Sequence, residues 1–298
     1  MSLRAELVRL GLRLVIKRRD RPNATLSQMR QWRVAAERLI PNPPAGTRTT
    51  TVDAGGIPAV RVATRASQPH RHVLYLHGGG FVTGSSSLYR HLTWRLADAT
   101  RAHLLSVDYR LAPEHPFPAA LQDAIGAYRW LLAQGADPRH VAVVGDSAGG
   151  NLAFALLLKA RDENLPLPAA AVGLSPWLDL ALESPSLRHN ADADPMLNAP
   201  EAPKLVHYYL GDRDPRTPYA SPLYGDFAGL PPALIQVGSD EILRDDAVRM
   251  AQRLRAAGRE VELEIWPRMP HVWHLFASVM PEARQAIARI GTFLQSKL

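Results

Sequence analysis

The chain has 298 residues, 46% of them hydrophobic and 21% charged, which suits one large α/β domain and excludes wholesale disorder. It has no cysteine, so a disulfide framework, a thiolate nucleophile and a Cys-ligated metal are excluded, and a reducing, cytoplasmic setting is expected. The formal net charge is +7, but the basic residues crowd into Arg4, Arg9, Arg13, Lys17, Arg18, Arg19 and Arg21 against Glu6 and Asp20. With no basic–aromatic interleaving to follow, they read as a solvated helix face, and no nucleic-acid partner is expected.

Leu3, Leu7, Leu10 and Leu14 recur at helical spacing and predict an amphipathic helix that packs on its own protein, a membrane surface being the other place for such a face. Charges at Arg4, Glu6, Arg9 and Arg13 interrupt any signal-peptide core, and no run of eighteen apolar residues predicts an integral membrane span. Residues 1 to 40 read as helical as far as "PNPPAG", where prolines and glycine mark a boundary. "RTTTVDAGGIPAVRVAT" then reads as two strands around a Gly-Gly turn, an antiparallel pair at a sheet edge.

Short apolar runs follow that predict buried strands: Val73–Leu76, Leu104–Val107, Val141–Val144, Ala170–Leu174, Ala233–Val237 and Val261–Ile265. Helical stretches separate several of them, at Leu88–Thr100, Ala119–Ala133, Ala148–Arg161 and Asp245–Ala257, and a last helix runs from about Glu282 to Leu298. This alternation predicts a mostly parallel sheet with helices on both faces. The long interval between Leu174 and Ala233 breaks the rhythm. It is rich in Pro and Asp, follows a strand's C-terminal end where open α/β sheets bind ligands, and reads as a lid or cap. Within it, "DPML" reads as a helix start, with Asp194 as N-cap and Pro195 at the first helical position.

The chemistry gathers around "GDSAG" at 145–149. It fits G-x-S-x-G between a buried strand and a helix, a sharp turn that lifts a serine hydroxyl above the sheet. Small residues must flank Ser147 there, and Gly145, Ala148 and Gly149 qualify. A hydroxyl needs a base, and the base an orienting carboxylate. Downstream, "GSDEILRDDA" offers Asp240, Glu241, Asp245 and Asp246. Asp240 follows its strand directly, Glu241 reads as a surface residue, and Asp245 or Asp246 suit capping of the next helix. "WPRMPHVWHLF" offers His271, in a loop after a strand, and His274, which reads as part of the following helical turn. The loop position favours His271 as base. Consecutive glycines in "LHGGGF" free backbone N–H groups to point into space, and Gly79 and Gly80, with Ala148, are the candidates to hold an oxyanion. His77 reads as a brace for this loop and Asp146 as a brace for the elbow. Tyr109, Arg110 and Glu114 read as a packed, ion-paired turn, and Trp177 either lines a pocket or fills the core. No histidine and carboxylate spacing suits a catalytic metal.

"HGGGF" at 77–81, "YRLAPEHPFPAAL" at 109–121, "GDSAGGNLA" at 145–153, "SPWLDL" at 175–180, "DPML" at 194–197 and the acid-then-His order together resemble the hormone-sensitive-lipase-like α/β-hydrolases, the bacterial family IV carboxylesterases. The resemblance runs over about residues 45 to 298. It implies the α/β-hydrolase fold and a serine carboxylesterase acting on short to medium acyl esters without a cofactor. By position it implies the triad Ser147, Asp240 and His271. It also implies a cap made from residues 1–44 and about 181–218. Amide, carbamate or deacetylation chemistry would use the same groups. A non-catalytic ligand receptor is disfavoured because His271 is present. The strand Val261–Ile265, last in sequence, reads as a sheet edge through which a homodimer would pair.

Overall fold

The computed structural model describes residues 1–17 and 24–298. Eight strands form one sheet: β1 (Arg48–Asp53), β2 (Pro58–Ala63), β3 (Gln68–Leu76), β4 (Ala102–Val107), β5 (Val141–Asp146), β6 (Ala170–Leu174), β7 (Ala233–Gly238) and β8 (Val261–Trp266). Their order is β1-β2-β4-β3-β5-β6-β7-β8. β1 and β2 pair antiparallel, and β2 pairs antiparallel with β4; all other neighbours are parallel. The six apolar runs all lie inside strands, and both expected edges, the β1–β2 pair and β8, are edges. β3 starts earlier than its apolar run because Gln68 pairs with Ala102 ahead of a register shift, and its polar first half is partly exposed.

The helices are α1 (Leu3–Leu12), α2 (Leu26–Glu37), α3 (Arg90–Thr100), α4 (Ala119–Ala133), α5 (Ala148–Asp162), α6 (Ser186–His189), α7 (Ala202–Leu210), α8 (Arg244–Ala256) and α9 (Pro281–Gln295). Strand residues alternate between two cores. Leu74, Leu76, Val143 and Ile235 join residues of α4, α5 and α8 on one face. Val73, Tyr75, Val144 and Leu234 join α3 and α9 on the other. Two buried faces explain why these strands read as continuous apolar runs. Each fully buried Leu, Ile or Val contributes about 1.5–3 kcal/mol relative to exposure. The chain leaves β3 for β4 on one side and returns to β5 on the other. The loops after β3 and β5 therefore diverge and open a crevice at the strands' C-terminal ends.

Three expectations about local structure are corrected. α1 packs by Ala5, Arg9 and Leu12, while Leu3, Leu7, Leu10 and Leu14 stand 77%, 60%, 53% and 48% exposed. The cause is Arg9, which turns inward to reach Asp240 and the Arg268 carbonyl. The helical reading of 1–40 holds for α1, a π-helical turn at Arg13–Lys17 and α2; its middle, with Arg18, Arg19, Asp20 and Arg21, lies outside the described residues. No helix starts at Asp194: its carboxylate accepts from the Met196 and Leu197 amides at 2.8 and 2.9 Å and from Ile242 N–H at 3.0 Å, folding a turn onto the loop after β7. Asp245 and Asp246 likewise cap nothing. They accept from the backbone of Ser186 and of Leu178 and Asp179, tying the insertion to α8, and burial pushes Asp246 up to about 7. Among the described residues no helix is long and apolar enough to cross a membrane.

Candidate active site

Ser147 stands between β5 and α5 with φ 52° and ψ −119°, a conformation an L residue holds only when its surroundings enforce it. A side chain at Gly145 would strike the Gly149 carbonyl, and one at Gly149 would strike the Leu76 and His77 carbonyls. The elbow can close only with glycine at both places. Ser147 N–H donates to Leu174 O at 2.9 Å, and its carbonyl accepts from Trp177 N–H at 3.0 Å, fixing the elbow to β6.

The glycine loop after β3 lies against the elbow. Gly79 and Gly80 have φ of 121° and 63°, and a side chain on Gly79 would run into Thr83 O. Both glycines line a cavity of about 120 Å³ that Ser147 and His271 also line. The Gly79, Gly80 and Ala148 amides donate to no backbone carbonyl among the described residues. Asp146, read as a brace for the elbow, ties the elbow to the glycine loop: it accepts from Tyr75 O–H at 2.5 Å and Gly78 N–H at 2.9 Å, and burial raises its pKa to about 6. His77 is buried and stacks on Tyr109 at 4.3 Å, and its Nδ1 donates to Gly78 O at 2.8 Å. Tyr109 O–H donates to the His77 carbonyl at 2.7 Å. Arg110 pairs with Asp123, and Glu114 with Arg30. Trp177 is buried and borders the cavity.

The carboxylate that meets the histidine is Glu241, and the assignment of Asp240 is corrected. His271 Nδ1 donates to Glu241 Oε2 at 2.8 Å. The other oxygen of Glu241 accepts from Gly238 N–H at 2.6 Å and Ser175 O–H at 2.7 Å. Glu241, read from sequence as a surface residue, is fully buried. Asp240 turns the opposite way, where Arg9 donates to it at 2.8 Å and Ser239 O–H at 2.8 Å. Two successive residues of a turn point to different sides, and the buried Arg9 claims the first.

Ser175 is a site residue that sequence reasoning passed over. It holds Glu241 and also accepts from Val272 N–H at 3.1 Å. Val272, next to His271, is β-branched at φ 46°, a strained backbone that this hydrogen bond helps to hold. The signal lay in a hydroxyl at the end of a buried strand beside β7. His274, in a 3-10 turn at Trp273–Phe276, is buried away from the cavity with Nε2 donating to Gln236 Oε1 at 2.8 Å. Burial lowers its pKa to about 3, so it stays neutral.

Burial alone would lower the pKa of His271, but the hydrogen bond and charge of Glu241 outweigh it, and the net shift is upward. Burial raises the pKa of Glu241. With Nδ1 committed to Glu241, Nε2 is the ring nitrogen left for the cavity. A hydroxyl, an imidazole steadied by a carboxylate and a turn of open amides around one small cavity can perform acyl transfer. Among the described residues no group of three or more His, Asp or Glu side chains is placed to hold a metal ion.

A family model described as the alpha/beta hydrolase fold matches residues 73–275. An acetyl-hydrolase of Streptomyces hygroscopicus is 49% identical over 231 residues, 78% of this chain and 77% of the relative. An esterase of Acinetobacter venetianus is 37% identical over 260 residues, 87% of this chain and 85% of the relative. A crystal structure of an esterase from the bacterial hormone-sensitive lipase family superposes with a TM-score of 0.94 at 42% identity, covering 100% of this chain and 99% of the other.

Proposed function

Because the chain belongs to the hormone-sensitive-lipase-like family of α/β-hydrolases and is a serine carboxylesterase, we propose that Ser147, His271 and Glu241 carry its reaction. Ser147 Oγ attacks the ester carbonyl as His271 Nε2 takes the proton. Glu241 holds Nδ1–H and stabilises the imidazolium. The Gly79, Gly80 and Ala148 amides receive the oxyanion, each such donor contributing on the order of 3 kcal/mol to the transition state. His271 returns the proton to the departing alcohol. It then deprotonates a water that attacks the acyl-enzyme and gives that proton to Ser147 Oγ as the acyl–Oγ bond breaks and the acid leaves. The observation that carries this assignment is the 2.8 Å bond from His271 Nδ1 to a buried Glu241, on the rim of the cavity that Ser147 lines.

The substrate is a small ester of a short or medium acyl chain. The cavity, about 120 Å³, is well below the roughly 300 Å³ at which pockets for drug-sized ligands begin. The name acetyl-hydrolase carried by two relatives agrees with a short chain. Residues 1–44 and about 181–218 act as the cap: Met29 and Arg33 of α2 and Met196, Leu197, Glu201 and Leu205 of the insertion border the cavity. A series of p-nitrophenyl esters from acetyl to palmitoyl tests both points. Butyryl ester is expected to turn over faster than palmitoyl, and Leu205→Ala, which opens space beside Gly80, is expected to shift the preference toward longer chains. Faster palmitoyl hydrolysis would overturn the chain-length assignment, and an unchanged preference in Leu205→Ala would overturn the cap.

A cytoplasmic setting belongs to the same proposal and rests on the cysteine-free composition. So does a two-fold homodimer through β8, supported by its place at the sheet edge and by Ile265, 43% exposed on it. Sedimentation at micromolar concentration is expected to give a dimer; a monomer would dismiss it.

A further inference from the structure

Among the described residues, eight of the ten large hydrophobic side chains that stand exposed lie in the first 39 positions: Met1, Leu3, Leu7, Leu10, Leu14, Val15, Val34 and Leu39. The charge is gathered in the same place. Residues 1–38 hold ten Lys and Arg against three Asp and Glu, so this segment alone accounts for the chain's net charge of +7 and the rest of the chain is balanced. Residues 18–21 enter that count as sequence only.

α1 arranges the two properties. At 100° per residue Leu3, Leu7 and Leu10 share one stripe, and Arg4 and Arg13 fall on its two sides. Leu14 and Val15 continue the exposed apolar run. The opposite side of α1 is fixed to the body, where Arg9 holds Asp240, Ser2 O–H ahead of the helix donates to Glu282 at 2.9 Å, and on the flank beside Arg13 Glu6 is paired with Arg268 at 2.7 Å. The leucines are therefore presented by a helix that is already ordered and anchored. An exposed leucine stripe between arginines on a fixed helix is the geometry of a helix lying in the plane of a lipid interface. Apolar exposure would suit a second copy of the chain equally, but a like-charged copy would bring two basic segments together. A negatively charged bilayer satisfies the apolar groups together with those basic groups of the segment that, unlike Arg9 and Arg30, are not already paired with Asp240 and Glu114.

We propose that the N-terminal segment, through Leu3, Leu7 and Leu10 of α1 and Leu14 of the turn that follows it, docks the enzyme peripherally on anionic phospholipid bilayers. Ala24, Met29 and Arg33, from the same N-terminal segment, border the catalytic cavity, so docking would bring the cavity close to esters dissolved in the lipid surface.

Co-sedimentation of the full chain with vesicles tests this, comparing phosphatidylcholine alone with equal parts phosphatidylcholine and phosphatidylglycerol. The wild type is expected to partition onto the anionic vesicles and far less onto neutral ones. One molar salt, which shortens electrostatic reach to about 3 Å, should release most of it. Leu7→Glu/Leu10→Glu should lower the partition coefficient by on the order of a hundredfold, since two apolar contacts are lost and two like charges added. Leu7→Ser supplies a milder variant, and far-ultraviolet circular dichroism with the unfolding temperature serves as the folding control. Absence of binding to anionic vesicles, or binding that both Leu7 variants leave unchanged, would overturn the proposal. So would a dimer that Leu7→Glu/Leu10→Glu dissolves in a protein that ignores vesicles, because the stripe would then serve a second copy. None of these outcomes depends on which residues form the triad.

Discussion

Ser147→Ala is expected to lower kcat about a millionfold, the loss seen when a serine hydrolase is deprived of its nucleophile, while leaving the folded state intact. Among the described residues the side chain makes no hydrogen bond that holds the fold; the elbow is fixed by the backbone of Ser147 to Leu174 and Trp177. Alanine must adopt the same φ of 52° at a similar cost, so the unfolding temperature should move little. A phosphonate ester should inactivate the wild type with one adduct, on Ser147, and leave the alanine variant unmodified. An adduct on another residue, or an alanine variant with ordinary turnover, would displace Ser147 from its role.

The parts of the fold that could be read from sequence are those in which local pattern and tertiary demand agree. The runs from Val73 to Leu76 and from Val141 to Val144 are buried on both faces, so periodicity carried no ambiguity. The elbow was legible because its glycines are sterically required. The glycine loop was legible as a tight turn because consecutive glycines after a strand permit the positive φ values found at Gly79 and Gly80. Asp240 and Glu241 mark the limit. Both follow β7, both are carboxylates, and nothing local decides which one faces His271. The choice is made from a distance, by Arg9 on a helix more than two hundred residues earlier and by Ser175 at the end of β6. Arg9 itself was the missed signal: an arginine on the buried face of a helix needs an acid, and Asp240 answers it. The same residue reversed α1. Periodicity marks an amphipathic helix without saying which face turns inward, and here the charged partner of Arg9 decided against the leucines.

Glu241→Gln is expected to reduce kcat about ten-thousandfold, because the amide keeps the shape but loses the charge that steadies the imidazolium and fixes the tautomer. The acid limb of the pH profile should move as well. His271 must be neutral to accept the Ser147 proton, so activity falls as pH drops through its pKa. In the wild type that pKa is raised, since Glu241 outweighs burial, and the limb should lie above the ordinary histidine value of about 6.5. Without the Glu241 charge, burial dominates and the limb should move to lower pH. Asp240→Asn touches only the Arg9 side of the turn, so it should keep most of its activity with the limb above about 6.5. The most direct measurement is kcat/KM for butyryl ester from pH 5 to 9 on these two variants beside the wild type. The expected result is a nearly inactive Glu241→Gln with a lowered limb and an active Asp240→Asn. A nearly inactive Asp240→Asn beside an active Glu241→Gln with an unmoved limb would contradict the triad.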